Sequence, residues 1–398
     1  MPRCLHAESV RVELLPDGGM LRGGERYFIK GAGAHDPFAE VAQRGGNSIR
    51  IWSERDLPQA LEAAEKLDLT VCAGIWLEPE CSWFSYANPQ HCKKQLERVR
   101  QVVRQYRDHA SLLLWGIGNE SEGDGGNDAY WQQLNRLARM VHEEDPAHPT
   151  FTAVAGLSPE KAAGLNQHTP DLDLVGINTY AALPALREHL VKVGWTRPWV
   201  VTEFGPKGFW ESPQTAWKAA IEQTSTQKAA TIRTNYQKTI APAGMCVGSY
   251  LFLWGQKQEA TSTWFGVFTA SGESTETADV MQELWAGKVP SNQAPRLTSM
   301  KCSATALKSA QVFTAQVEAN DADGDPLQFR WEIADDLRKR DQQGREKPPP
   351  LIQGLIKADG NRATIHAPAK PGAYRVFVFV SDGKGHAATA NVPLQVSD

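Results

Sequence analysis

Residues 48–75 read SIRIWSERDLPQALEAAEKLDLTVCAGI, and this stretch decides the fold class. Two short runs rich in β-forming residues, 48–52 and 70–75, enclose residues 57–67, in which apolar side chains recur at helical spacing. The order strand, helix, strand is typical of a parallel sheet whose strands are joined by crossover helices. The sequence therefore predicts an α/β fold in this region.

The same alternation extends from residue 26 to residue 288 and contains eight apolar runs with helical patterns between them. The runs are residues 27–31, 48–52, 70–75, 111–117, 150–154, 172–177, 198–202 and 247–254. Eight strand and helix pairs in a span of this length predict a (β/α)8 TIM barrel, because that fold typically takes about 250 residues.

Turn signals divide the rest of the chain. The sequence PDGG at residues 16–19 indicates a hairpin, which we expect to cover the barrel floor. Residues 289–295 form a turn-rich linker, and the short alternating runs after it are typical of an immunoglobulin-like β-sandwich. We therefore expect an N-terminal hairpin extension at residues 1–25, the barrel at 26–289 and a small all-β sandwich at 290–398.

The composition is that of a globular chain with a neutral partner. The 398 residues are 41% hydrophobic and 22% charged, and 42 basic against 46 acidic side chains leave a net charge of −4. This balance offers no electrostatic attraction for nucleic acid, and no apolar run reaches the roughly 18 residues that membrane insertion requires. Twelve of the 13 tryptophans precede residue 290. The oligomeric state is left open.

The six cysteines are scattered without the spacing of a metal site. Cys81 and Cys92 lie close enough in sequence to be a candidate disulfide, so an oxidising compartment is allowed. Residues 1–10 lack the apolar core of a signal peptide, and an exported chain would therefore have lost its signal.

Two carboxylates follow strands on opposite sides of the predicted barrel. Glu120 comes at the end of the fourth apolar run and Glu203 at the end of the seventh. Active sites of this fold lie at the carboxyl ends of the strands, so both side chains should face the barrel mouth. Paired carboxylates suit glycoside hydrolysis, and a separation of about 5 to 5.5 Å leads to retention of anomeric configuration.

The motifs around these glutamates resemble those of a known group of enzymes. WGIGNE at residues 115–120 and VVTEFG at 200–205 look like the acid/base and nucleophile motifs of clan A glycoside hydrolases. Glycoside hydrolase family 2 is the closest, since YFIKGAGAH at 27–35 and GGNSIRIW at 45–52 also resemble its first two barrel strands. The Asn-Glu and Glu-Phe-Gly patterns are similar, too, to those of transglycosylating β-glucan enzymes of the same clan.

The resemblance implies a role for five residues. Glu120 would be the general acid/base, Glu203 the nucleophile and Asn119 the hydrogen-bond donor to the sugar 2-hydroxyl. Arg50 and Tyr180 would hold and tune the nucleophile, which a nearby guanidinium helps to keep ionised. This chemistry requires no metal and no cofactor.

Further side chains near the strand ends are expected to contact the substrate. Trp76 and Trp254 are predicted to stack on pyranose rings, whereas Trp115, inside a strand, is predicted to be a packing residue. His35 is predicted to bind a sugar hydroxyl, with a structural hydrogen bond as the alternative. The neighbouring acids Glu78, Glu80, Glu122 and Asp124 are interpreted as solvated loop residues.

In the second domain, residues 320–331 resemble the turn and strand of PKD-like or cadherin-like immunoglobulin-fold modules, which are often attached to secreted carbohydrate enzymes. We therefore expect a periplasmic or secreted protein, with a cytoplasmic location left open. Asp321, Asp323 and Asp325 alternate as calcium ligands do, but a solvated tight turn explains them as well. Trp331 is expected to be a core residue.

The sequence thus predicts a retaining β-glycoside hydrolase acting on a β-linked oligo- or polysaccharide, with a β-glucan type of substrate favoured. A β-glucan transglycosylase using the same two glutamates is the alternative. A non-catalytic carbohydrate-binding barrel is the second alternative. The sugar, the linkage and exo or endo action depend on loop shapes and are left open.

Overall fold

A small antiparallel sheet precedes the barrel in the computed structural model, which describes residues 9–341 and 344–398. Its strands are β1 (Val12–Leu14), β2 (Met20–Arg22) and β3 (Glu25–Arg26). Val12 and Met20 are buried in one cluster with residues from the beginnings of the barrel strands, such as Leu113 and Leu174. This sheet therefore covers the amino-terminal end of the barrel, opposite the expected active site.

Within the described residues, eight parallel strands close a barrel in the order of the sequence. They are β4 (Ile29–Ala34), β5 (Ser48–Ile51), β6 (Thr70–Ile75), β7 (Leu112–Asn119), β8 (Thr150–Ala155), β9 (Leu174–Asn178), β10 (Trp199–Phe204) and β11 (Cys246–Trp254). Their residues are almost all buried, as continuous apolar runs in a parallel sheet require. The predicted (β/α)8 barrel is confirmed.

The helices alternate with these strands as the sequence predicts. In the part of the chain that the structure describes they are α1 (Phe38–Gln43), α2 (Leu57–Lys66), α3 (Pro89–Tyr106), α4 (Asp128–Glu144), α5 (Pro159–His168), α6 (Leu186–Lys192), α7 (Ser225–Asn235) and α8 (Glu276–Ala286). Asn88 and Asn127 cap α3 and α4 by accepting hydrogen bonds from first-turn amides. None of the described helices combines the length and the hydropathy that crossing a bilayer requires.

The C-terminal part of the chain is all β. Its strands are β12 (Arg296–Cys302), β13 (Ala306–Lys308), β14 (Val312–Asn320), β15 (Gln328–Asp335), β16 (Lys339–Arg340), β17 (Glu346–Lys347), β18 (Ile356–Asp359), β19 (Arg362–His366), β20 (Gly372–Ser381) and β21 (Ala387–Ser397). Two four-stranded sheets, ordered β12-β14-β19-β18 and β13-β21-β20-β15, enclose one apolar core. Trp331 belongs to that core, as expected.

The chain forms two compact units. One comprises the described residues up to Phe204 together with Asn235–Phe252, and the other comprises Gly205–Thr234 and Leu253–Asp398. The second unit thus joins the sandwich to the segment that follows β10 in sequence. The domain limits at residues 25 and 289 remain a prediction.

Inside the second unit, a buried polar network joins residues 222–228 to the sandwich. Glu222 pairs with Lys228, and the two side chains are 1% and 7% exposed. Both Glu222 oxygens accept further hydrogen bonds, from Thr261 and Thr263 and from the Asn391 amide of β21. At the start of α7, Ser225 accepts a hydrogen bond from the Thr389 amide of the same strand. Lys228 Nζ also donates to the Thr263 carbonyl oxygen, so partners distant in sequence stabilise both members of this buried pair.

The candidate disulfide is not formed. Cys81 and Cys92 are both free, as are the other cysteines in the described residues. The Cys92 thiol instead donates to the Tyr86 carbonyl oxygen, 3.2 Å away. Closeness in sequence was the only signal for this pair, and it does not bring the two sulfurs together.

Candidate active site

Glu203 lies inside β10 and is held by donors on both carboxylate oxygens. Its Oε1 accepts hydrogen bonds from Arg50 Nη1 at 2.9 Å and from Trp52 Nε1 at 2.7 Å. Its Oε2 accepts one from the Tyr180 hydroxyl at 2.9 Å. The side chains of Glu203 and Arg50 are only 9% and 3% exposed. Three donors, one of them charged, fix the orientation of this carboxylate.

Arg50 also connects Glu203 to Asn119. Its Nη2 donates to Asn119 Oδ1 at 2.6 Å, and Asn178 Nδ2 donates to the same oxygen at 3.2 Å. Because two donors occupy Oδ1, the orientation of the Asn119 amide is fixed with Nδ2 as the group left for a ligand. This matches the donor role that the sequence assigns to Asn119, which remains a prediction.

Glu120 has a different setting at the end of β7. Its backbone φ is 50°, a left-handed value that costs energy for a residue with a side chain and is frequent at functional sites. Surrounding protein raises the pKa of its carboxyl group by desolvation, and the negative charges of Glu203 and Glu122 raise it further. Hydrogen bonding from Asn178 Nδ2 at 2.8 Å opposes these effects and lowers the pKa. The net effect raises the pKa of Glu120, which is the direction that a general acid requires.

This arrangement predicts the effect of Asn178→Ala on the pH profile. Glu120 must carry a proton to act as an acid, so kcat/KM should fall as pH rises through its pKa. Since the Asn178 hydrogen bond favours the charged carboxylate, its removal should raise that pKa and move the basic limb to higher pH. Asn135→Ala is the control for the loss of an amide side chain, because Asn135 bonds to Asp171 outside this network. A basic limb that stays in place in Asn178→Ala would contradict this account.

The structure places the three other predicted contact residues differently. His35 is 62% exposed and lies beside Trp52, with 5.2 Å between the ring centroids. Trp76 is 45% exposed at the end of β6. Both remain predicted sugar contacts. Trp254, however, is fully buried and packs against Phe268 and Trp285, so its predicted stacking on a sugar is wrong.

Sequence reasoning missed three residues of the site and misjudged a fourth. The missed residues are Trp52, Asn178 and Thr202, which form hydrogen bonds around the two glutamates. The only signal in the sequence for their role is their position near the ends of strands. Glu122 was interpreted as a solvated acid, but it is buried and pairs with Lys161 at 2.7 Å. Trp115 is a packing residue, as predicted, and its Nε1 donates to Asp145.

The second domain contains the three aspartates considered for calcium. Ligand oxygens of Asp321, Asp323 and Asp325 lie within 4.8 Å of one another. Asp325 also pairs with Lys384 at 2.6 Å, and Asp321 accepts two backbone hydrogen bonds. These contacts are those of a tight turn with a counter-ion, which is one of the two interpretations that the sequence leaves open.

Comparison with known families agrees with this geometry. Residues 65–287, more than half of the chain, match the TIM barrel domain of the glycosyl hydrolases family 2. The chain belongs to glycoside hydrolase family 2. Residues 300–395 of this family 2 chain match the PKD domain. The predicted resemblance to the family 2 barrel with a C-terminal PKD-like module is therefore confirmed.

Similar proteins in this family include a β-galactosidase of Arthrobacter sp. (strain B7), 27% identical over 128 residues that cover 28% of this chain and 12% of that protein. A β-glucuronidase of Bacteroides fragilis is 26% identical over 160 residues, which cover 35% of this chain and 22% of that protein. The solved calcium-binding mutant of Bacteroides uniformis β-glucuronidase 2 has a TM-score of 0.57 at 16% identity. The alignment covers 98% of this chain and 48% of that structure, and shows a shared fold.

Proposed function

We propose that this protein is a retaining β-glycoside hydrolase acting on a β-linked oligo- or polysaccharide. The observation that carries the proposal is the opposite electrostatic setting of two glutamates at the ends of barrel strands. Glu203 receives three hydrogen bonds on its carboxylate, one of them from the buried guanidinium of Arg50. Glu120 lies where desolvation and nearby carboxylates raise its pKa. Such a division supports Glu203 as the nucleophile and Glu120 as the acid.

In the first step, the Glu203 carboxylate attacks the anomeric carbon while the bond from that carbon to the leaving oxygen breaks. Glu120 gives its proton to the leaving oxygen, and a covalent glycosyl-enzyme ester forms at Glu203. Asn119 Nδ2 would donate a hydrogen bond to the sugar 2-hydroxyl. Hydrogen bonds of this kind strengthen as positive charge develops at the anomeric centre.

In the second step, the ionised Glu120 takes a proton from water, and the resulting oxygen nucleophile attacks the anomeric carbon. The bond to Glu203 breaks, and the nucleophile regains its charge beside Arg50. Two inversions at the same carbon give net retention. A sugar hydroxyl in place of water would give transglycosylation by the same residues.

The nature of the sugar is a separate question. The β-glucan preference expected from the sequence has no support in the names of the similar proteins, which are β-galactosidases and β-glucuronidases. The matched segments span less than a quarter of those relatives, so their specificities do not transfer directly. The proposal therefore stops at a β-linked glycan.

The test is a panel of aryl β-galactoside, β-glucuronide and β-glucoside together with β-linked oligosaccharides. Proton NMR of the first product should show the β anomer before mutarotation. An α anomer would contradict the double displacement. Products longer than the substrate would favour the transglycosylase, whereas binding of glycan without any cleavage or transfer would favour the non-catalytic barrel.

The exported location also remains a proposal, and cell fractionation would test it.

A further inference from the structure

A cavity of about 520 Å³ lies in the first unit, next to the candidate active site and outside the catalytic network. Its lining comes from the ends of two neighbouring barrel strands and from α3: Ser53, Glu54, Arg55, Asp56, Trp76, Glu78 and Arg98. The volume falls within the roughly 300–1,000 Å³ of small-molecule sites. It opens at the end of the barrel where active sites of this fold lie.

A chain of contacts leads from the nucleophile to this cavity. Trp52 donates to Glu203 Oε1 at 2.7 Å, and its ring lies 5.2 Å from the ring of His35. His35 Nδ1 is 3.6 Å from Asp56 Oδ2, and Asp56 lines the cavity. A glycan bound at Glu203 would therefore reach the cavity once it extends past the side-chain rings of Trp52 and His35.

Trp76 is presented to the cavity by a fixed backbone. Its amide donates to Glu54 Oε2 at 3.0 Å, and its carbonyl oxygen accepts from Arg98 Nη2 at 2.6 Å. Arg98 and Glu54 are themselves ion-paired, so one salt bridge holds both polar groups of the Trp76 backbone. The indole is nevertheless 45% exposed. A large aromatic ring that lines a cavity and stays open to solvent is available to stack on a ligand.

The charges around the ring indicate which ligand it takes. Three carboxylates and two guanidiniums line the cavity, and Arg98 is occupied by Glu54 and Glu78. This lining offers hydrogen-bond donors and acceptors for hydroxyl groups without a positive field for an acidic sugar. An aromatic face combined with such polar groups suits the apolar face and the hydroxyls of a neutral pyranose.

We propose that this cavity is a second sugar-binding subsite, in which Trp76 stacks on a neutral pyranose of the glycan that is cleaved at Glu203. The proposal rests on the proposed function and narrows its substrate to an oligosaccharide that spans both places. It follows that chain length, and not the cleaved sugar alone, should govern kcat/KM.

The test compares substrates that can and cannot reach the cavity. β-Glucosyl and β-galactosyl fluorides carry one ring and a single-atom leaving group, whereas β-1,3- and β-1,4-linked gluco- and galacto-trisaccharides extend further. Trp76→Ala should reduce kcat/KM about tenfold or more on the best trisaccharide, mainly through KM, and by less than about twofold on the fluoride. Trp76→Phe, which keeps an aromatic face, should recover most of the loss.

Trp83→Ala is the matched control, because Trp83 is 65% exposed in the loop after β6 and does not line the cavity. It should leave the trisaccharide-to-fluoride ratio unchanged. The subsite would be overturned if Trp76→Ala lowers kcat/KM equally on both substrates or on neither. It would also be overturned if Trp83→Ala has the same effect as Trp76→Ala. Preference for acidic over neutral trisaccharides would also overturn it. Retention on the fluorides in those cases would leave the proposed function standing, whereas no turnover of any substrate would refute both.

Discussion

Glu203→Gln should lower kcat by at least about 10⁴-fold on any glycan that the wild-type protein cleaves, which corresponds to about 5.5 kcal/mol of lost transition-state stabilisation. An amide oxygen cannot form the glycosyl ester, although glutamine fills the same volume and its one oxygen can still accept from Arg50 and Trp52, as Glu203 Oε1 does. The loss should therefore appear in kcat on every substrate, including those with good leaving groups.

Glu120→Gln should behave differently, and this contrast separates the two roles. An activated aryl leaving group needs little help from a general acid. The rate of the first step should therefore fall less on an aryl glycoside than on an unactivated glycan. Glu25→Gln, at an exposed position of β3, is the control for the loss of a carboxylate elsewhere. A Glu203→Gln protein that is folded by circular dichroism and retains full turnover would refute the assignment.

The second large effect is on stability. Lys228→Met should lower the free energy of unfolding by roughly 3–5 kcal/mol, because it leaves the Glu222 carboxylate buried without its charged partner. Denaturant titration followed by circular dichroism measures the change. Lys66→Met is the matched control. The side chains of Lys66 and Glu62 are 68% and 70% exposed, so the loss of this pair should leave the free energy of unfolding nearly unchanged.

The double variant Lys228→Met/Glu222→Gln completes this test, because glutamine removes the charge and keeps an acceptor for the donors Thr261, Thr263 and Asn391. Removal of both charges should restore much of the lost stability, since the desolvation cost of each ion disappears with it. Similar small effects of Lys228→Met and Lys66→Met would show that the network around Glu222 does not hold residues 222–228 to the sandwich.

The barrel could be predicted because each of its strands and helices has a recognisable pattern within its own short stretch of sequence. Each strand is a short, fully buried run, and each helix carries its own periodicity, so neither depends on distant residues for recognition. The strand ends were likewise visible, and with them Glu120, Glu203 and Arg50. In the sandwich, β12 was harder to predict because Leu297 is its one fully buried residue among seven.

Contacts between distant segments could not be predicted in the same way. Trp254 was expected to face a sugar from its place at the end of β11. The chain after β11 instead turns back, so that the Val267 amide donates a hydrogen bond to the Leu253 carbonyl oxygen. The ring of Phe268 then packs against the indole of Trp254. The direction of Trp52 Nε1 toward Glu203 depends on the closure of the barrel, and the pairing of Glu222 with Asn391 depends on the fold of the sandwich.

The most direct test of the two-glutamate mechanism is azide rescue of the alanine variants, with the anomer of the glycosyl azide determined by NMR. In Glu203→Ala, azide should replace the missing nucleophile and attack opposite the leaving group, which gives the α-azide by one inversion. In Glu120→Ala, azide should instead intercept the glycosyl-enzyme at Glu203 and give the β-azide. We expect this opposite pair of products. The same anomer from both variants, or a β-azide from Glu203→Ala, would contradict it.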